Sequence, residues 1–220
     1  MSAPKTTRYQ TLSEFLERTE TALTNAQLPD IAPLLAYRGI DPMMVQMRLQ
    51  EAAHLRTLDA VQKKEAGDQL QATRNYEAAL EAVHQDYVDD LRLARIAFKN
   101  DPSAQKALEL NGTRKQSKGG YAGQGWAFYD NALRDPGYQA LLAQKGIKMP
   151  DLQLRQQAFE NLKELSAVQQ QETGESQMAT AARDAAYDAL ADWMSDFYEI
   201  AKVALRRTPQ LMEKLGILER

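Results

Sequence analysis

The sequence predicts an all-α protein, an internally duplicated helical bundle of two αα-hairpins, with about four long helices and short capping helices at their ends. Three observations predict it. Residues Pro29 to Leu110 recur without a gap 107 positions later as Pro136 to Ile217, with roughly a third of the positions identical. Apolar residues in both copies fall at helical spacing, i, i+3, i+4 and i+7. Glycines and prolines stand where helices of that spacing stop and start.

The register of the repeat never slips. Leu34-Leu35-Ala36 falls on Leu141-Leu142-Ala143, Gly39-Ile40 on Gly146-Ile147, Ala60-Val61-Gln62 on Ala167-Val168-Gln169, Gly67 on Gly174 and Pro102 on Pro209. Self-similarity of this length marks one supersecondary unit used twice, each copy helping to bury the apolar face of the other.

The elements follow in order. An N-terminal helix carries Phe15, Leu16 and Leu23, and its counterpart restarts around Trp126, Phe128 and Tyr129. A short helix with Leu34 and Leu35 ends at Gly39, where glycine takes the left-handed position after the last turn and Ile40 folds back on it. Gly146-Ile147 and Gly216-Ile217 repeat the device. Pro42 and Pro150 suit the first turn of the next helix. The first long helix of each copy runs from about Met43 to Ala66 and from Asp151 to Thr173, with Ala52, Leu55, Leu58 and Val61 matched by Phe159, Leu162, Leu165 and Val168. The second carries Val83, Tyr87, Leu91 and Phe98, matched by Leu190, Met194, Tyr198 and Leu205. Asp101-Pro102 and Thr208-Pro209 each place a capping residue before a proline and open a last short helix.

Gly67 and Gly174 stand between the two long segments of each copy. Lys63 to Thr73 and Gln170 to Thr180 are poor in large apolar residues, and Asp68 with Gln71 has the spacing of a capping box. A solvated hairpin tip accounts for that polar gap; the alternative is a single helix of nearly sixty residues. The hairpin reading gives a first repeat with its N-terminal helix over 1–110, a Gly/Lys-rich flexible linker over 111–125 and a second repeat over 126–220, joined in one four-helix bundle.

Composition narrows the function classes. Of 220 residues 44% are apolar and 26% charged, ordinary for a globular protein, and the 7% aromatic content suggests a thin core of small side chains. With no cysteine there is no disulfide framework, thiolate metal site or thiol nucleophile. The first residues lack the apolar core of a signal peptide, and no run approaches the ~18 apolar residues of a membrane span. A cytoplasmic protein without a membrane span is expected. A net charge of −3 makes nucleic acid an unlikely partner. Gly119-Gly120-Tyr121-Ala122-Gly123-Gln124-Gly125 lacks the Gly-Lys-Ser/Thr ending of a phosphate loop, so no cofactor is expected.

Two sets of candidate site residues remain. Both histidines lie in Glu-x-x-His, as Glu51 with His54 and Glu81 with His84. At these four positions the spacing resembles the motif of ferritin-like di-iron proteins, which implies a metal site in a bundle core. Against it, Glu81 lies about 160° and His84 about 100° round the helix from Val83, and the second copy has Ala158, Asn161, Asp188 and Ala191 in their places. The second set is partner-binding. Arg114, Lys115 and Lys118 interleave with aromatic Tyr121 and Trp126, and Trp193 and Phe197 add an aromatic face where the first copy has Asp86 and Asp90. The sequence therefore predicts a non-enzymatic helical scaffold or protein-interaction module that binds a protein partner or forms a homo-oligomer, with a metal-binding bundle as the alternative.

Overall fold

A computed structural model describes residues 11–217, and the leading residues read above for a signal peptide lie outside that range. Every regular element among the described residues is a helix: α1 (Leu12–Ala26), α2 (Ala32–Ala36), α3 (Pro42–Ala97), α4 (Pro102–Ala107), α5 (Lys118–Arg134), α6 (Pro136–Ala143), α7 (Met149–Ala204) and α8 (Pro209–Lys214). None is long and apolar enough to cross a membrane.

The helix ends follow the local chemistry. Thr11 and Glu14 form a reciprocal capping box at the start of α1. After α2, α6 and α8 the glycines Gly39, Gly146 and Gly216 take positive φ angles of 89°, 88° and 73°. In each case the following isoleucine N–H reaches back to a leucine or methionine carbonyl five residues earlier, at 3.0 to 3.1 Å, which satisfies an orphan acceptor of the last turn. Asp101 caps α4 through Ala104 N–H, whereas Thr208 makes no such bond to α8. Pro42 opens α3, while Pro150 is the second residue of α7.

The hairpin turns expected at Gly67 and Gly174 are absent: α3 and α7 each run unbroken through them for 56 residues. The residues around them explain why. One helical glycine costs only about 1 kcal/mol relative to alanine, and its neighbours are mostly Lys, Glu, Gln and Ala, which favour helix. Pairs at i, i+4 bridge the polar stretch, Lys63 to Asp59 at 2.6 Å, Gln71 to Asn75 at 2.8 Å and Gln171 to Glu175 at 2.8 Å.

The chain forms two compact units, each holding parts of both long helices. One unit runs to Lys64 and resumes at Gln177; the other is Glu65–Ser176. The first unit gathers Leu16, Leu23, Ile31, Leu35 and Leu55 with Leu190, Phe197 and Leu205 from the far half of α7. The second gathers Tyr87, Leu91 and Phe98 from the far half of α3 with Phe128, Tyr129, Phe159 and Leu162. Leu55 thus shares its core with Leu190, the residue 107 positions beyond Val83, and not with Val83 of its own copy.

The two cores also differ from the thin one expected. Five aromatic rings meet in the second unit, with Tyr87 within 6.0 Å of the centroids of Tyr121, Phe128, Tyr129 and Phe159. Val61 and Val168, read as core, are 42% and 45% exposed.

Candidate functional site

Five of the eleven candidate residues converge on one recess of about 420 Å³ in the second unit: His84, Arg114, Lys115, Lys118 and Tyr121. The far half of α3 supplies its floor. Tyr76, Tyr87 and Leu91 are buried there, at helical spacing, with Leu80 and Val88 half-buried beside them. Segment 111–117 and the first turns of α5 supply the opposite wall.

That wall is not the flexible linker its composition suggested. Helix α5 starts already at Lys118, capped by the Ser117 hydroxyl accepting from Gly120 N–H. Gln124, 7% exposed, accepts from the Lys115 N–H at 3.2 Å and donates to the Glu109 carboxylate at 3.1 Å. Arg114 donates to the Glu109 carbonyl at 2.6 Å and to the Tyr87 hydroxyl at 3.2 Å. Glu109 itself holds a left-handed φ of 47° at the position where the other copy has Gly216. A non-glycine residue there stores about 1 kcal/mol of strain, and Arg114 and Gln124 hold it in place.

Two of the four glycines of α5 serve close packing. A Cβ on Gly125 would stand 2.2 Å from the Phe159 ring, and one on Gly120 would stand 2.5 Å from the Ser117 hydroxyl. Glycines interleaved with the aromatic residues of the same helix, Tyr121, Trp126, Phe128 and Tyr129, were the signal available for this.

Electrostatically the recess is cationic on an apolar bed. Arg114, Lys115 and Lys118 face one carboxylate, Glu77, in a protein whose net charge is −3. Among the described residues none of these three cations has an ion-pair partner. Lys118 Nζ lies 4.7 Å over the Tyr76 ring, and the buried Arg114 Nε has no hydrogen-bond partner. The Tyr121 hydroxyl lies 2.8 Å from His84 Nδ1. Burial pushes that phenol up to about 12, with the neighbouring Tyr87 and Tyr76 adding to the shift. Burial raises Tyr76 and Tyr87 as well, the latter opposed by Arg114.

The other candidates lie elsewhere. Glu51 and His54 belong to the first unit and Glu81 and His84 to the second. Glu51 pairs with Arg48 at 2.6 Å, His54 and Glu81 are exposed, and His84 faces Tyr121. Among the described residues, Glu65, Glu172 and Glu175 form a group of three carboxylates within 4.8 Å of one another. Trp126 is half-buried, with Lys163 Nζ 4.6 Å over its ring.

Trp193 and Phe197 are not the partner-facing surface expected of them. Phe197 is 1% exposed in the core of the first unit, and Trp193 stacks on it at 5.4 Å with Arg48 5.1 Å over its ring. Their counterparts in the second unit are Asp86 and Asp90, and there Arg155, the counterpart of Arg48, pairs with Asp86 at 3.5 Å and with buried Asp90. Tyr129 donates to the same Asp90 carboxylate at 2.9 Å. Burial raises the Asp90 carboxyl above its ordinary range, against the pull of Tyr129 and Arg155. Arg155 thus meets two carboxylates, whereas Arg48 meets one carboxylate, Glu51, and the Trp193 ring.

Comparison with protein-family models, with curated proteins and with solved structures finds no match to this chain.

Proposed function

We propose that the protein is a non-enzymatic helical scaffold, built by duplication of one helical unit, which acts by binding protein through exposed helix faces. The observation that carries this reading is the recurrence of exposed large apolar side chains at the 107-residue offset. Leu34 and Leu141 are each 38% exposed, Met47 and Leu154 are 43% and 72%, Val61 and Val168 are 42% and 45%, and Ile96 and Val203 are 62% and 56%. Each unit carries one member of every pair.

Single exposed apolar residues are ordinary on a protein surface. Their persistence in two diverged copies is not. A buried leucine stays apolar because packing demands it, but no packing demand acts on Met47 or Leu154. Contact with a partner, a second copy or another chain, supplies the missing demand. Met47 and Val61 moreover share one face of α3 with half-buried Leu58, a spacing that suits helix-on-helix association.

The test is the solution mass of the wild type by light scattering, followed by that of Met47→Lys with Leu154→Lys. The wild type is expected to associate with itself, or to capture a defined partner, and the variant to lose that association while keeping its helical circular dichroism. A wild type that is strictly monomeric and captures nothing the variant fails to capture overturns the reading.

A further inference from the structure

The exposed apolar faces leave the cationic recess of the second unit unexplained, and the recess stands independently of the scaffold reading. At about 420 Å³ it falls within the ~300–1,000 Å³ span of small-molecule sites. Its floor and its rim ask for different things. Tyr76, Tyr87 and Leu91 offer an apolar bed, whereas Lys118 holds its ammonium over the Tyr76 ring and Lys115 is a second cation of the lining, neither with a carboxylate paired to it. The first turns of α5 contribute Lys118 and Tyr121 to the lining, and the positive end of the helix dipole has the same sign.

We infer that this recess binds a small amphipathic monoanion, a carboxylate on an apolar body. Charge complementarity selects the anion and the bed selects the body. Valence follows from Arg114. Each terminal nitrogen of its guanidinium spends one of its two N–H donors inside the protein, on Tyr87 and on the Glu109 carbonyl, which fixes the group in the wall and leaves it less to offer a multiply charged phosphate. With the Arg114 Nε–H buried in the wall, the two lysines are the charge the recess offers a ligand, enough for one carboxylate.

The recess also belongs to one copy alone. Positions 107 residues away from His84, Tyr87, Lys118 and Tyr121 hold Ala191, Met194, Thr11 and Glu14. The recess of the first unit, about 280 Å³, is lined by Glu17, Arg18 and Tyr198 and has a single cation. Divergence between copies falls here on the residues that would contact a ligand, while helix-end residues such as Gly39 with Gly146 and Pro102 with Pro209 were kept.

The chain's two histidines make the test direct, because His84 lines the recess and His54 lies in the other unit. Octanoate is titrated into the full chain and the imidazole resonances of both are followed by NMR. Saturable shifts at His84 with His54 unmoved are expected. Octanol, the same body without charge, is expected to bind at least tenfold more weakly, and inorganic phosphate to leave His84 unmoved. Lys115→Gln with Lys118→Gln is expected to weaken octanoate roughly three- to tenfold, the combined loss of two partly exposed charge contacts, and to leave octanol unchanged. Lys115→Gln alone, at an exposed side chain, gives a smaller change of the same sign without risk to the fold. An unmoved His84, equal binding of octanol, equal binding of phosphate, or wild-type affinity in the double variant would each overturn the inference.

Discussion

The ring of Phe159 occupies the space where Gly125 would carry a Cβ, 2.2 Å away. Phe159 is fully buried and ringed by Tyr87, Tyr121 and Tyr129, so it cannot swing aside. Gly125→Ala is expected to destabilise the protein by about 3 kcal/mol, the upper range for overpacking a core. Gly123, in the same helix with nothing within 4 Å of its Cβ position, is the control. Gly123→Ala is expected to stabilise by up to ~1 kcal/mol from helix propensity. Urea unfolding of the two variants separates them, since a flexible linker would tolerate both alike.

That contrast shows where sequence reading reaches its limit. Glycine composition alone cannot separate a tether from a packed helix; the deciding partner, Phe159, lies 34 positions away in the chain. The two hairpins failed for a related reason. Because the apolar pattern recurs at the 107-residue offset, pairing Leu55 with the Val83 region or with Leu190 buries similar faces, so the pattern supports both. Only the polar stretch around Gly67 could decide, and its helix-forming side chains outweighed one glycine. Helix ends were legible because each is written locally, as in Leu35-x-x-x-Gly39-Ile40. Of the site, the cationic and aromatic residues were legible as a cluster of 111–121, but their floor on α3, Tyr76 and Leu91, carried no signal beyond an apolar stripe.

Arg155 and Arg48 offer the same substitution in two surroundings. Arg155→Met leaves Asp90, 3% exposed, without its cation, and is expected to cost about 3 kcal/mol at neutral pH. Arg48→Met removes a ring contact and a half-exposed ion pair, expected to cost about 1 kcal/mol. The first loss depends on pH. Burial already holds Asp90 above 3.8, and loss of Arg155 raises it further. The folded state then binds its proton more tightly than the unfolded chain, so the contribution is present below pH 3.8 and lost as pH rises. Denaturation of Arg155→Met is expected to show a smaller deficit in acid than at neutral pH.

Tyr121 imposes the same sign at the alkaline end. Its phenol is pushed by burial from an ordinary 10.0 up to about 12, so the unfolded chain releases the proton first. Its contribution is complete below pH 10 and is lost as pH rises through about 12. Tyr121→Phe is expected to flatten the fall in stability across that window relative to wild type, measured by urea unfolding at matched pH values.

Four glycines test the backbone itself. Gly39 and Gly146 sit at φ of 89° and 88°, where an L side chain is strained, so Gly39→Ala and Gly146→Ala are each expected to destabilise by about 1 kcal/mol. Gly67 and Gly174 lie inside α3 and α7 with open space at their Cβ positions. Alanine there is expected to stabilise by about 0.5–1 kcal/mol, because it restricts the unfolded chain and suits the helix. A hairpin turn would reverse that sign, since a turn glycine at positive φ resists substitution as Gly39 does. Unfolding midpoints of Gly67→Ala and Gly174→Ala that rise together are therefore the solution signature of two unbroken helices, and midpoints that fall would restore the hairpins.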